Sequence, residues 1–396
     1  MSRALGRSCR VCLRAPDVLP NAPRDSLGYA ASSRSELPLP NDNSAQHEGS
    51  SAFRQAAPLE LRNVSKRYPG QSNDALKDLS FSVGAGEVCV LVGPSGSGKT
   101  TAMRLINRMI PLSSGDILLG GRSVLEIEPN ELRREIGYCI QQIGLFPHLT
   151  VEDNIATVPH LLGWDKSRIG ARVKELVDLI GLDAEIGKRY PAQLSGGQRQ
   201  RVGVARALAA DPPLMLMDEP FGAIDPINRA RLQDEFLRLQ EQVRKTVVFV
   251  THDIDEAIKM GDRIAILREG GTLAQYDTPS KILINPTDKF VSDFVGADRA
   301  LKRLGLATLA DIDLLDPNGR EGDQSQPDGR LPQSTTVLDA LSAVVASGGR
   351  PLAVVDSNDH LKGVVTLELL GGVLRNGALP DEKHDEHPAP DPELAP

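Results

Sequence analysis

The sequence predicts an α/β fold around a mostly parallel sheet, with an antiparallel β-subdomain, a helical subdomain and a small α+β domain at the C-terminal end. Three observations predict it. Apolar runs of strand length, Val88–Val92, Leu214–Met217 and Thr246–Val250, alternate with amphipathic segments of helical period. A glycine-rich turn, Gly93–Thr101, stands between the first of these runs and a helix-like segment, Ala102–Met109. Short strands bounded by turns precede that core, and a second strand and helix pattern follows it after a Pro/Gly-rich break at 316–328.

Residues 1–57 are rich in Ser, Pro, Arg and Asn, contain no lysine and lack the apolar stretch of a signal peptide. They read as a disordered N-terminal tail that the fold does not need. Order is expected from residue 58. Leu59-Glu60-Leu61 alternates, Asn63-Val64-Ser65 follows, and Ala75–Val83 continues the antiparallel pattern of a β-subdomain.

Val88–Val92 then leads into Gly93-Pro94-Ser95-Gly96-Ser97-Gly98-Lys99-Thr100-Thr101, which matches the P-loop template G-x-x-x-x-G-K-[ST] in its strand–loop–helix setting. The glycines let successive N–H groups turn inward as an anion nest, and the following helix adds its positive end. Lys99 reaches the β- and γ-phosphates of a nucleoside triphosphate, and the Thr100 hydroxyl is placed for Mg²⁺. The segment Val88 to about Ile140 is the first part of this core. Thr150–Ala210 is helix-rich, and a helical subdomain is expected over about 141–210.

Within that subdomain stands Leu194-Ser195-Gly196-Gly197-Gln198, ahead of the amphipathic Arg199–Ala210. A serine and two glycines at a helix start make a second phosphate cap. One subunit already has its phosphate loop, so a second cap makes sense closing over the γ-phosphate of another copy. Leu214–Met217 ends in Asp218-Glu219, two carboxylates at the C-terminal edge of a sheet, where α/β folds bind ligands. Asp218 is placed to hold Mg²⁺, and Glu219 to polarise the attacking water as general base.

With a P-loop and LSGGQ at this spacing, the chain resembles the ATP-binding cassette (ABC) family, over roughly residues 59–295. The resemblance implies a P-loop NTPase cassette, assigned to 58–295, that hydrolyses ATP with Mg²⁺ as a homodimer. It implies that Ser195, Gly197 and Gln198 of one copy cover ATP held by Gly93–Thr101 of the other. It also implies that His252, after Thr246–Thr251, contacts the γ-phosphate and orients the water. Gln141, in Gln141-Gln142, would sense the γ-phosphate and the metal. Tyr68 would stack on adenine, and Phe221-Gly222-Ala223-Ile224-Asp225 would be the D-loop that crosses the dimer interface. Without the family, Tyr68 reads as a half-buried strand aromatic and His252 has no assigned role.

Beyond the cassette, 296–329 reads as a polar linker, 330–376 as a folded segment and 377–396 as a disordered acidic tail. Ser334-Thr335-Thr336-Val337 opens a helix, Pro351–Asp356 is a strand, Asn358-Asp359 a turn, and Leu361–Thr366 a second strand. This order resembles a single CBS motif. Leu369, behind Glu368, stands where nucleotide-binding CBS motifs usually carry Asp, which argues against an adenosine ligand.

Composition excludes several classes. A net charge of -8 argues against a general nucleic-acid binder. No apolar run approaches the roughly twenty residues that span a bilayer, so a pore would belong to other polypeptides. Cys89 and Cys139 lie in apolar strands, and Cys9 and Cys12 form one CxxC without a second pair, which fits a reducing compartment and no zinc site. A cassette followed by CBS-like sequence, with the run Ile140–Ile155, resembles the ATPase subunits of bacterial importers for quaternary-amine osmoprotectants such as glycine betaine and choline. That implies integral membrane permease subunits as partners, a periplasmic or lipid-anchored solute-binding protein met indirectly, and a place on the cytoplasmic face of the inner membrane. Alternatives are the ATPase of an amino-acid or sugar importer or of an exporter, and an ABC protein of translation or DNA repair. The last would need a second cassette or a long coiled-coil insertion, and neither is present.

Overall fold

The computed structural model describes residues 55–140, 144–222, 224–316 and 329–376, with side chains through 373. Strands β1 (Leu59–Lys66) and β2 (Leu76–Val83) pair antiparallel, with Leu61 opposite Phe81. Leu59, Leu61 and Val64 are buried while Glu60 and Arg62 are not, the two-residue period of a sheet with one covered face. β3 (Val88–Val92) is buried at every position, which is why it reads as an unbroken apolar run. Helix α1 (Lys99–Ile106) leaves the loop that follows it.

Strands β4 (Ser114–Leu119) and β5 (Arg122–Ser123) complete a four-stranded antiparallel sheet in the order β2-β1-β4-β5. The sequence places these residues in the P-loop core instead. Their pairing with β1 is long-range and leaves no local signature, although the Gly120-Gly121 turn, with φ of 60° and 79°, is the two-residue connection that such hairpins favour.

After α2 (Pro129–Glu135) and β6 (Ile136–Cys139) come three helices, α3 (Val151–Leu161), α4 (Lys166–Leu179) and α5 (Gly196–Leu208). Each starts on a side-chain cap: Thr150 accepts from Asp153 N–H, Asp165 from Arg168 N–H and Ser195 from Gln198 N–H. The chain returns through β7 (Leu214–Asp218), α6 (Pro226–Val243), β8 (Thr246–Val250), α7 (Ile254–Met260), β9 (Arg263–Leu267) and β10 (Leu273–Asp277). The resulting sheet has the order β10-β9-β3-β8-β7-β6 and is parallel except at β10. Alternate residues feed opposite cores. Val90, Met215 and Phe249 pack on the helical side, and Leu91, Leu216 and Val248 pack toward α1 and the β-subdomain. Helices α8 (Pro279–Ile284) and α9 (Lys289–Val295) follow.

The ordered edge begins ahead of residue 58. Ala57 N–H donates to Pro213 O at 3.2 Å, and Thr246 Oγ1 donates to Ala57 O at 2.7 Å. A chain starting at Pro58 is therefore expected to melt a few degrees below one starting at Gln55, because two hydrogen bonds of about 1 kcal/mol each are lost. Paired thermal scans check this, and equal melting temperatures would contradict it.

The last elements are α10 (Arg299–Leu304), β11 (Arg330–Pro332), α11 (Val337–Ala346), β12 (Leu352–Val355), β13 (Leu361–Val365) and α12 (Leu367–Asn376). The three strands form a sheet in the order β11-β12-β13. The sequence reading anticipates β12, β13 and α11 but not β11, which is short and largely exposed. It also treats 296–329 as linker, whereas Leu304, Ala307 and Leu309 are buried in one cluster with Val337, Val354 and Val365. A bridge from Leu315 to Val364 ties this stretch to β13. The isolated apolar residues of 304–315 give no period of their own, so the sequence shows polarity where the fold uses anchors. Among the described residues, no helix is long and apolar enough to cross a membrane.

Candidate functional site

The end of β3 turns sharply into the P-loop. Gly93 has φ 154°, and a Cβ there would collide with the Leu267 carbonyl. Gly98 has φ 88°, and a Cβ would lie 2.6 Å from Leu76 Cδ2. Both positions therefore need glycine. Lys99 folds back over the loop, its Nζ donating to Gly93 O at 2.7 Å and to Pro94 O at 2.9 Å, with Ser97 Oγ at 3.3 Å. Burial lowers the Lys99 ammonium pKa, and the nearby carboxylates of Glu219 and Asp218 oppose that shift. Ser95 and Gly96 are exposed, and Thr100 and Thr101 are half-buried at the start of α1. Tyr68 is half-buried beside this helix, its hydroxyl 3.4 Å from Thr101 Oγ1 and its ring 5.3 Å from Lys66 Nζ.

β7 and β8 deliver the carboxylates and the histidine to the same sheet edge. Asp218 pairs in register with Val250, and Glu219 N–H donates to Val250 O at 2.9 Å. Glu219 has φ 44°, a left-handed conformation that costs of order 1 kcal/mol or more in a non-glycine residue and is held here by the adjoining turn, where Gly222 N–H donates to Glu219 O at 3.1 Å. The bend aims its carboxylate at His252, with Nδ1 to Oε1 at 3.3 Å. Burial raises the Asp218 carboxyl pKa, the neighbouring Glu219 charge adds to this, and Arg104 and Lys99 pull against it. A half-buried carboxylate beside a second one, next to a helix that begins with a threonine hydroxyl, is a donor set suited to Mg²⁺, which takes few protein ligands and keeps waters and phosphates.

The structure thus brings Lys99, Asp218, Glu219 and His252 together. It puts Ser195, Gly197 and Gln198 elsewhere, at the exposed or half-exposed start of α5. Ser195 and Gln198 form a reciprocal capping box: Gln198 N–H donates to Ser195 Oγ and Ser195 N–H to Gln198 Oε1. Among the described residues no hydrogen bond or ion pair joins this cap to the P-loop. Gln141 and Ala223 lie outside the described residues.

Two supporting residues carry no motif that marks them in the sequence. Gln200 is buried on α5 and donates through Nε2 to Pro220 O at 2.7 Å, holding the turn that follows Glu219. Asn154 is fully buried and grips the preceding loop: it accepts from Phe146 N–H at 2.8 Å and donates to Phe146 O, Leu149 O and Thr150 O. A polar residue on the apolar face of an amphipathic helix was the available signal for both.

Comparison with known proteins agrees with this geometry. Residues 76–222 match the ABC transporter family. The chain is 47% identical over 311 residues to the osmoprotectant import ATP-binding protein OsmV of Salmonella typhimurium, covering 78% of each. It is 40% identical over 376 residues to the glycine betaine/carnitine/choline transport ATP-binding protein OpuCA of Bacillus subtilis, covering 82% of this chain and 98% of that one. Among solved structures, a dimeric ATP-binding cassette in a post-hydrolysis state bound to ADP and Pi superposes with a TM-score of 0.50 at 33% identity, covering 56% of this chain and 98% of that one.

Proposed function

The chain belongs to the ATP-binding proteins of ABC transporters, and we propose that it is the ATP-hydrolysing subunit of an importer for quaternary-amine osmoprotectants such as glycine betaine or choline. The observation that carries the solute class is the 40% identity to a glycine betaine/carnitine/choline transport protein along 98% of that protein's length.

In this reading the Gly93–Thr101 loop holds the triphosphate through its backbone N–H groups, and Tyr68 stacks on the adenine. Lys99 leaves the loop carbonyls for the β- and γ-phosphates. Thr100 and Asp218, with Gln141, hold Mg²⁺, which neutralises charge on the phosphate oxygens when bound. Glu219 accepts the proton of the attacking water, and His252, already in contact with Glu219, orients that water against the γ-phosphate. Ser195, Gly197 and Gln198 of a second copy close the site. The permease subunits dock beside the segment Gln141–Val151. Asn154 fixes residues 146–150 of that stretch, and Phe146 is 41% exposed there, apolar surface suited to a partner. A solute-binding protein acts through the permease, and the chain works at the cytoplasmic face of the membrane.

Cysteines placed at Leu145 or His148 are expected to crosslink to a transmembrane subunit in membranes, in a pattern that changes with ATP. Crosslinks confined to the β1–β2 face would contradict this docking, and uptake assays of the reconstituted complex with glycine betaine and choline test the solute.

The C-terminal residues 330–376 are proposed to regulate rather than catalyse. Their route to the site is short: Lys302 Nζ bonds Asp255 Oδ1 at 2.9 Å on α7, which follows His252, while Leu304 is buried in the C-terminal core. Deleting 330–396 is expected to preserve basal hydrolysis and change its response to salt in the reconstituted complex. Abolished hydrolysis, or an unchanged salt response, would contradict the regulatory role.

A further inference from the structure

Glu256 is a buried carboxylate with no part in the hydrolytic chemistry described above. It is 7% exposed, in a helix, α7, that also buries Ala257, Ile258 and Met260. Burying a carboxylate costs free energy unless it is well bonded. Here the bonding comes from neutral groups. Gln233, buried on α6, donates through Nε2 to Glu256 Oε1 at 2.9 Å. Burial raises the Glu256 carboxyl pKa, and hydrogen bonding by the Thr251 and Gln233 side chains opposes that rise.

Thr251 stands directly after β8. It is buried, and its N–H donates to Leu91 O on β3 at 3.1 Å. A carboxylate only accepts, so the Thr251 hydroxyl turns its proton to Glu256 and keeps a lone pair for another donor. That donor is Asp253 N–H, 3.1 Å from Thr251 Oγ1. Asp253 in turn caps α7, its Oδ1 accepting from Asp255 N–H at 2.9 Å and from Glu256 N–H at 3.4 Å. The residues on either side of His252 are thereby stitched to each other and to α7. The His252 side chain is 65% exposed, so packing does not hold the ring. Its direction toward Glu219 Oε1, 3.3 Å from Nδ1, is set by the backbone that carries it.

We propose that Thr251 and Glu256 are positioning residues for His252. The Thr251 hydroxyl, oriented by the Glu256 carboxylate, fixes the turn that holds the imidazole against Glu219 and the attacking water. Gln233 anchors the pair on α6. The proposal rests on the reading of His252 as the group that orients that water, and neither positioning residue touches substrate.

Phosphate release by the full chain, resolved into kcat and KM for ATP, tests this. Thr251→Val is expected to lower kcat about 2- to 12-fold, the factor for one net hydrogen bond, with KM unchanged. Thr251→Ser keeps the hydroxyl and should restore the parent kcat. Glu256→Leu should lower kcat likewise. If Glu256→Leu does not fold, Glu256→Asp, whose shorter carboxylate falls back from Thr251, takes its place. In a His252→Ala chain, Thr251→Val should cause no further loss, because its whole effect passes through the imidazole; a merely structural role would still add its own loss there. Parent kcat in Thr251→Val or in the Glu256 variant would overturn the proposal. So would a Thr251→Ser chain as slow as Thr251→Val, or losses that multiply in the His252→Ala chain. A His252→Ala chain with the parent's rate would overturn the reading of His252 itself, and the proposal with it.

Discussion

Glu219→Gln is expected to lower ATP turnover by about 10²- to 10⁴-fold, the usual worth of a positioned general base, while nucleotide binding survives. The substitution keeps the size of the side chain. The φ of 44° is set by backbone hydrogen bonds to Val250 and Gly222, neither of which involves the carboxylate. An amide oxygen still lies within reach of His252. What disappears is the capacity to take a proton from water. It also removes one of the two negative charges near Lys99, which does not weaken binding of an anion. Phosphate release and ATP binding, measured on the same preparation, check both halves. A variant that hydrolyses ATP within a few-fold of the parent would show that another group acts as base.

Lys99→Ala is expected to cost about ten- to hundred-fold in nucleotide affinity, the range for losing one charge-assisted hydrogen bond, and more in turnover, because charge on the transferring phosphoryl group goes unstabilised. Lys99 is 8% exposed, yet its partners are the loop carbonyls of Gly93 and Pro94 and the Ser97 hydroxyl rather than a carboxylate. No salt bridge has to be broken for it to turn to a phosphate. The alanine variant should therefore fold, with a melting temperature near that of the parent, and fail in ATP titration. Normal affinity and rate in a folded Lys99→Ala chain would contradict the role given to the P-loop.

The parts of the fold that could be read in advance are those whose signal is local. The buried strands β3 and β8 are continuous apolar runs. The P-loop and the α5 cap are fixed by glycines and a serine whose backbone work depends only on near neighbours. Asp218 and Glu219 stand out because an apolar strand ends in two carboxylates. The parts missed are set by distant partners. β4 is a strand because β1 accepts it, with Ile117 opposite Leu61. Ala57 is ordered because Pro213 and Thr246 hold it. Leu304, Ala307 and Leu309 look like scattered residues in a polar linker until the C-terminal sheet covers them. The same holds inside the site. The left-handed turn at Glu219 comes from the β7–β8 register, and the buried amide of Gln200 has a purpose only once Pro220 lies beside it.

We infer that one chain carries a hydrolytic edge and an exposed phosphate cap that serves a partner's edge, so that two chains are needed to enclose ATP. The oligomeric mass of the Glu219→Gln chain, measured by light scattering with and without ATP, tests it most directly. A monomer is expected without nucleotide and a stable dimer with ATP, lost again when Ser195 is replaced by a bulky residue. A chain that stays monomeric at saturating ATP, or dimerises equally with and without it, would show that the cap does not close a partner's site.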